Sequence, residues 1–115
     1  METDTAVLAL EALAQGSRLG VFRLLVEAGP EGLAAGRIAE KMDLPAPTLS
    51  FHLAQLKNAG LIACRRDGRS LIYSADFAAM NDLVGFLTDN CCGGGAAQCA
   101  PGRRAPQPKA KRRAA

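Results

Sequence analysis

Three thiols stand within nine residues near the C-terminal end of this 115-residue chain: Cys91, Cys92 and Cys99, in the stretch NCCGGGAAQC. Thiolates are the preferred ligands of soft ions. The adjacent pair and Cys99 can converge only if the chain between them folds back, and Gly93-Gly94-Gly95 supplies the backbone freedom for that. Three thiolates without a nearby fourth donor do not suit a structural zinc site, which takes four donors in a tetrahedron. They suit trivalent arsenic or antimony, whose lone pair occupies the fourth direction. Three other readings stand beside that one. The cysteines could hold another thiophilic ion or a methylated arsenical, they could form a redox switch, or the cluster could be fortuitous. A redox switch would pair Cys92 with Cys99 or Cys91 with Cys99, because a bridge between adjacent residues is strained. Cys64, the fourth cysteine, lies alone in a strand-like segment and reads as packing.

What positions these thiols is the body of the chain ahead of them. Through residue 90 the sequence holds eight Lys and Arg against eleven Asp and Glu; beyond it there are six basic residues and no acid. The division predicts a mildly acidic folded domain over residues 1–90. Residues 91–115 then form a cysteine-bearing basic tail of the kind that is usually solvated and sometimes touches nucleic acid. One core is within reach at this length. No run approaches the ~18 apolar residues of a membrane span. The opening METDTAVLAL carries acid where a secretory leader carries base, which predicts a cytoplasmic protein with no membrane partner.

The elements follow from periodicity and punctuation. Thr3 to Gln15 reads as a helix that is apolar nearly all round between Ala6 and Ala14, so a partner subunit is a natural cover. Ser17 is placed to cap a second helix, SRLGVFRLLVEA, which stops at Gly29-Pro30. A third helix is expected over Leu33–Met42 and a turn at Asp43-Leu44-Pro45. A fourth helix, APTLSFHLAQLKNAG, has Pro47 in its first turn and closes on Gly60. LIACRRDGRSLIYS then reads as a hairpin turning on Asp67-Gly68, which pairs Cys64 with Leu71 and Ile62 with Tyr73. A last helix from Asp76 to about Asp89 presents Phe77, Met80, Leu83, Val84 and Leu87. The fold class is therefore mainly α with a small β-hairpin wing: a winged helix-turn-helix.

That architecture directs attention to the fourth helix. Its stripe of Leu49, Leu53 and Leu56 faces the core and turns Pro47, Thr48, Phe51, Gln55 and Asn58 outward, with Ser50 and His52 on the flanks. Hydroxyls and amides can bond base edges or phosphates, and Phe51 suits a thymine methyl. Arg65, Arg66 and Arg69 on the hairpin suit phosphate or a narrow minor groove. Two plainer readings exist: His52 as a half-buried structural histidine, and the whole unit as a protein-binding winged domain. One histidine with no nearby acid, no phosphate loop and no paired carboxylates predict no enzyme and no organic cofactor.

From SRLGVFRLLVEAG through LPAPTLSFHLAQLKNAGLI to the wing RRDGRSLIYS, the chain resembles the ArsR/SmtB family of bacterial winged-helix metalloregulators over roughly residues 5–92. The resemblance implies a homodimer paired through its first and last helices. It also implies binding to double-stranded operator DNA as a repressor, and release by a metal ion. Carried over, the family's DNA-reading positions fall on Pro47, Thr48, Ser50, Phe51 and the wing arginines. Many arsenic-responsive members carry a Cys-Val-Cys pair in the helix before the recognition helix. Here that helix reads LAAGRIAEKM and has no cysteine. Cys91, Cys92 and Cys99 instead resemble the C-terminal arsenite site of an ArsR subgroup, with As(III) or Sb(III) as inducer.

Overall fold

A glycine and a proline divide the N-terminal half. The first helix, α1 (Thr3–Leu13), gives way at Ala14 to α2 (Gly16–Ala28). Capping of α2 falls to the Gln15 side chain, which accepts from the Arg18 amide at 2.9 Å, so the cap lies two residues ahead of the expected Ser17. Gly29, at φ 81°, and Pro30 stop α2. The computed structural model describes residues 1–94.

Leu33–Ala34 is not the start of a helix, as the sequence suggests, but a two-residue strand, β1. It pairs antiparallel with β3 (Ser70–Ala75), which in turn pairs with β2 (Ile62–Asp67), giving the order β1-β3-β2. A strand this short has no periodicity of its own and exists because β3 offers it a partner: Leu33 opposite Tyr73 and Ala34 opposite Ile72. Gly32 makes the approach feasible, since at φ 73° a Cβ there would run into the Tyr73 carbonyl. Helix α3 follows over Ala35–Met42 and ends with Asp43 in the left-handed region; α4 follows over Ala46–Asn58.

The wing turns one residue later than expected. Asp67 stays in the strand opposite Ser70, and the two-residue loop is Gly68-Arg69, with only Gly68 at positive φ, the pattern of a turn with glycine first. Cys64 therefore faces Tyr73, and Ile62 faces Ala75. The change shifts the pairing by two residues. Every side chain keeps its face under such a shift, so alternation cannot distinguish the registers and the turn decides.

The last helix, α5 (Phe77–Leu87), starts at an Asp76 cap whose carboxylate accepts from the Ala79 amide at 3.0 Å. A tight turn over Cys91–Gly94 follows, with Cys92 and Gly93 outside helical geometry. The core joins Val21 and Leu25 of α2, Ile38 of α3, Leu49, Leu53 and Leu56 of α4, and Leu61 and Ile62 at the wing base. Helix α1 buries Ala6, Ala9 and Ala12 in this core, with half-buried Leu13 packed against it, while Val7, Leu8 and Leu10 remain exposed. None of the described helices is long and apolar enough to cross a membrane.

Candidate nucleic-acid interface and cysteine turn

Helix α4 has two distinct faces. Leu49, Leu53 and Leu56 are buried to 2% exposure or less. Pro47, Thr48, Ser50, Phe51, Gln55 and Asn58 are exposed, Phe51 at 57%. A phenylalanine this open on a hydroxyl- and amide-bearing surface can contact base methyls once the helix enters a major groove. The helix begins at Pro45 with no side-chain cap, so its positive end also faces outward.

His52 departs from the set predicted to meet DNA. It is only 8% exposed, and its Nδ1 lies 3.3 Å from Nη1 of Arg18 on α2. The physical reason is spacing: position 52 falls three residues after Leu49, beside Leu53 and four before Leu56, inside the core stripe rather than on its flank.

The wing arginines also divide. Arg66 and Arg69 are exposed at and near the tip. Arg65 points to the opposite face of β2, where its Nη2 donates to the Glu31 carbonyl at 3.1 Å and ties the wing base to the loop after α2. Nearby, the Tyr73 hydroxyl is held above the ordinary 10.0, by burial first and then by its hydrogen bond to Cys64 and the negative charge of that residue's thiolate form. This pair is a direct consequence of the observed register and is absent from the expected one.

At the far end of α5, Asn90 and Cys92 take left-handed backbone at φ 56° and 57°, followed by Gly93 at 66°. Left-handed backbone costs a non-glycine residue about 1–2 kcal/mol. The tight turn brings the Sγ atoms of half-buried Cys91 and exposed Cys92 to 3.7 Å. Two thiolates each about 2.3 Å from one ion, the zinc–sulfur distance, stand about 3.8 Å apart at the tetrahedral angle, so the spacing fits shared coordination. Cys99 lies outside the described residues. Among the described residues no three His, Cys, Asp or Glu side chains gather as a metal site.

A three-helix head, a helix with an outward polar face and a basic hairpin define a winged helix-turn-helix regulator. Comparison with known proteins supports that class. Residues 13–65 match the family model described as a helix-turn-helix domain. The chain is 30% identical to the HTH-type transcriptional regulator YgaV of Escherichia coli over 89 residues, covering 77% of this chain and 88% of that protein. It is 35% identical to the nodulation protein NolR of Rhizobium meliloti over 80 residues, which is 70% of this chain but only 63% of NolR. Among solved structures, the homodimeric winged helix-turn-helix DNA-binding domain of Mb0332 from Mycobacterium bovis, a possible ArsR-family transcriptional regulator, shares 31% identity. Its TM-score is 0.60, with coverage of 76% of this chain and 81% of that one. The chain belongs to the winged helix-turn-helix transcriptional regulators of ArsR type.

Proposed function

We propose that this protein is a cytoplasmic, homodimeric repressor of operator DNA that trivalent arsenic or antimony releases by binding the thiolates of Cys91, Cys92 and Cys99. The observation that carries the sensing half is the 3.7 Å approach of Cys91 and Cys92 on a left-handed turn at the end of α5. The DNA half rests on the exposed face of α4 and on the exposed Arg66 and Arg69 of the wing. Support for the dimer comes from α1 and α5, which pack against each other and leave Val7, Leu8 and Leu10 of α1, and Val84 and Leu87 of α5, exposed. Covering those side chains with a second copy removes apolar area from water at about 25 cal/mol per Å².

The mechanism is one of linkage. The metalloid releases DNA only if it binds the DNA-competent dimer less tightly than another arrangement. Drawing three sulfurs together at the end of α5 alters a helix packed on α1. A change there re-spaces two recognition helices that must meet half-sites about one DNA turn apart. A coupling of roughly 1–3 kcal/mol is ordinary for allostery.

The same 3.7 Å approach of two sulfurs favours a second reading, in which oxidation rather than a metalloid moves the turn. One titration decides between them. The fully reduced protein is bound to an operator duplex and arsenite is added, with peroxide in a parallel series. Release by arsenite in reductant, lost in Cys99→Ser, is the expected result. Release by peroxide alone would transfer the role to redox sensing.

A further inference from the structure

The wild-type fold holds Arg18 at three points, and two of them join helices that the proposed function treats separately. The Arg18 amide is capped by Gln15. Its Nε donates to the Ala12 carbonyl at 2.8 Å, in the last turn of α1, where carbonyls lack partners within the helix and a cation is favoured. Its Nη1 meets Nδ1 of His52 at 3.3 Å. A guanidinium has donors only, so in this contact Nδ1 is the acceptor. Direct packing between α1 and α4 is incomplete here. A cleft of about 240 Å³ opens between them, lined by Leu8 and Glu11 of α1, Arg18, and Gln55 and Asn58 of α4. Beside that gap, the guanidinium is a polar bridge from the apolar-faced helix to the DNA-facing one.

We propose that Arg18 is a positioning residue that sets the recognition helix relative to α1, with His52 as its receiver. This inference rests on the DNA-binding, dimeric reading above. Phe51 is the sequence neighbour of His52, and Gln55 lies one turn on, so whatever turns His52 turns the DNA face. In a dimer joined through α1, the bridge fixes each recognition helix to the two-fold axis. It therefore fixes the half-site spacing that the dimer accepts. Arg18 and His52 touch no base in this scheme; they act through the angle of α4.

The test uses the full chain and a duplex that the wild type selects from a randomised library, together with versions lengthened by one and two base pairs at the dyad. Wild type should lose affinity steeply with the insertions. Arg18→Met and His52→Leu should bind the selected duplex about tenfold more weakly. They should also tolerate the insertions almost equally, with dimer mass and salt dependence unchanged. A merely structural role would lower melting temperature without flattening the spacing profile. His52→Asn, whose side-chain oxygen replaces Nδ1 as acceptor, should restore the wild-type profile. Retention of wild-type spacing discrimination by folded Arg18→Met and His52→Leu overturns the inference. Should those two fail to fold, Arg18→Lys and His52→Asn decide. The inference expects Lys, which cannot fork to both acceptors, to lose discrimination and Asn to keep it; equal behaviour overturns it. If the wild type selects no duplex, the DNA-binding reading itself fails and takes this inference with it.

Discussion

Helices α1 and α4 are of similar length and both rich in leucine and alanine, yet they use those residues in opposite ways. Helix α4 buries Leu49, Leu53 and Leu56 and exposes hydroxyls, amides and a single Phe51. Helix α1 buries Ala6, Ala9 and Ala12 and exposes Val7, Leu8 and Leu10. The first arrangement maximises attachment to the chain's own core and leaves a surface suited to a polar, charged partner. The second spends its small residues on close helix packing and leaves its large apolar Val7, Leu8 and Leu10 exposed. On the proposed function, one helix reads and the other pairs.

The largest effect that sharpens this contrast is in the core of α4. Leu56 is fully buried, so Leu56→Ala should cost about 2–5 kcal/mol in urea unfolding. A loss below about 1 kcal/mol would mean that α4 is not anchored as described.

Next comes the pairing face. Leu10 of α1 is 41% exposed, and Leu10→Glu should leave the protomer's helix content intact while weakening self-association tenfold or more, about 1.4 kcal/mol. Sedimentation over a concentration series measures it, and an unchanged association constant would place the partner face elsewhere.

Among the wing arginines the expected effects are smaller and unequal. Arg66→Ala and Arg69→Ala should each lower the slope of log affinity against log salt by about 0.9, as for one lost phosphate contact. Arg65→Ala, whose guanidinium is tied to the Glu31 carbonyl, should change the slope less. Equal slopes for all three would contradict the division of the wing into a basic tip and a structural base.

The smallest effect is spectroscopic. Tyr73 is the one tyrosine in the chain, so an absorbance titration reads it alone. Its midpoint should lie above the ordinary 10.0. In Cys64→Ala it should fall part of the way back, because burial, the larger cause, remains. No change in Cys64→Ala would argue against the observed wing register.

Much of this was legible in the sequence, for physical reasons that particular residues make plain. The stripe on α4 shows because three leucines at helical spacing have no alternative to the core. The outward face follows by subtraction, and Pro47 and Gly60 mark its ends. What escaped depends on distant partners. His52 lies inside the core stripe by spacing, but that its partner there is Arg18, thirty-four residues earlier in the chain, no local pattern announces. Leu33–Ala34 becomes a strand because β3 is there to receive it. The wing register was ambiguous in principle, since a two-residue shift preserves every face. Gln15 replaced Ser17 as cap because its longer side chain can reach the Arg18 amide from one turn back. Of the cysteine site, the adjacency of Cys91 and Cys92 was legible, and Asn90 and Gly93 are residue types that accept left-handed backbone; that Cys92 between them also adopts it was not legible, since cysteine does not favour that conformation.

The most direct test of the division between reading and pairing is one binding isotherm measured for two variants on one operator duplex, across protein concentrations that span the dimer dissociation constant. Phe51→Ala alters the exposed face of α4, and Leu10→Glu alters that of α1. The account predicts that the deficit of Leu10→Glu closes as concentration rises, because dimer forms by mass action and reads DNA normally. The deficit of Phe51→Ala should persist at every concentration. A Leu10→Glu deficit that concentration cannot close, or a Phe51→Ala deficit that it can, would contradict the assignment of the two faces.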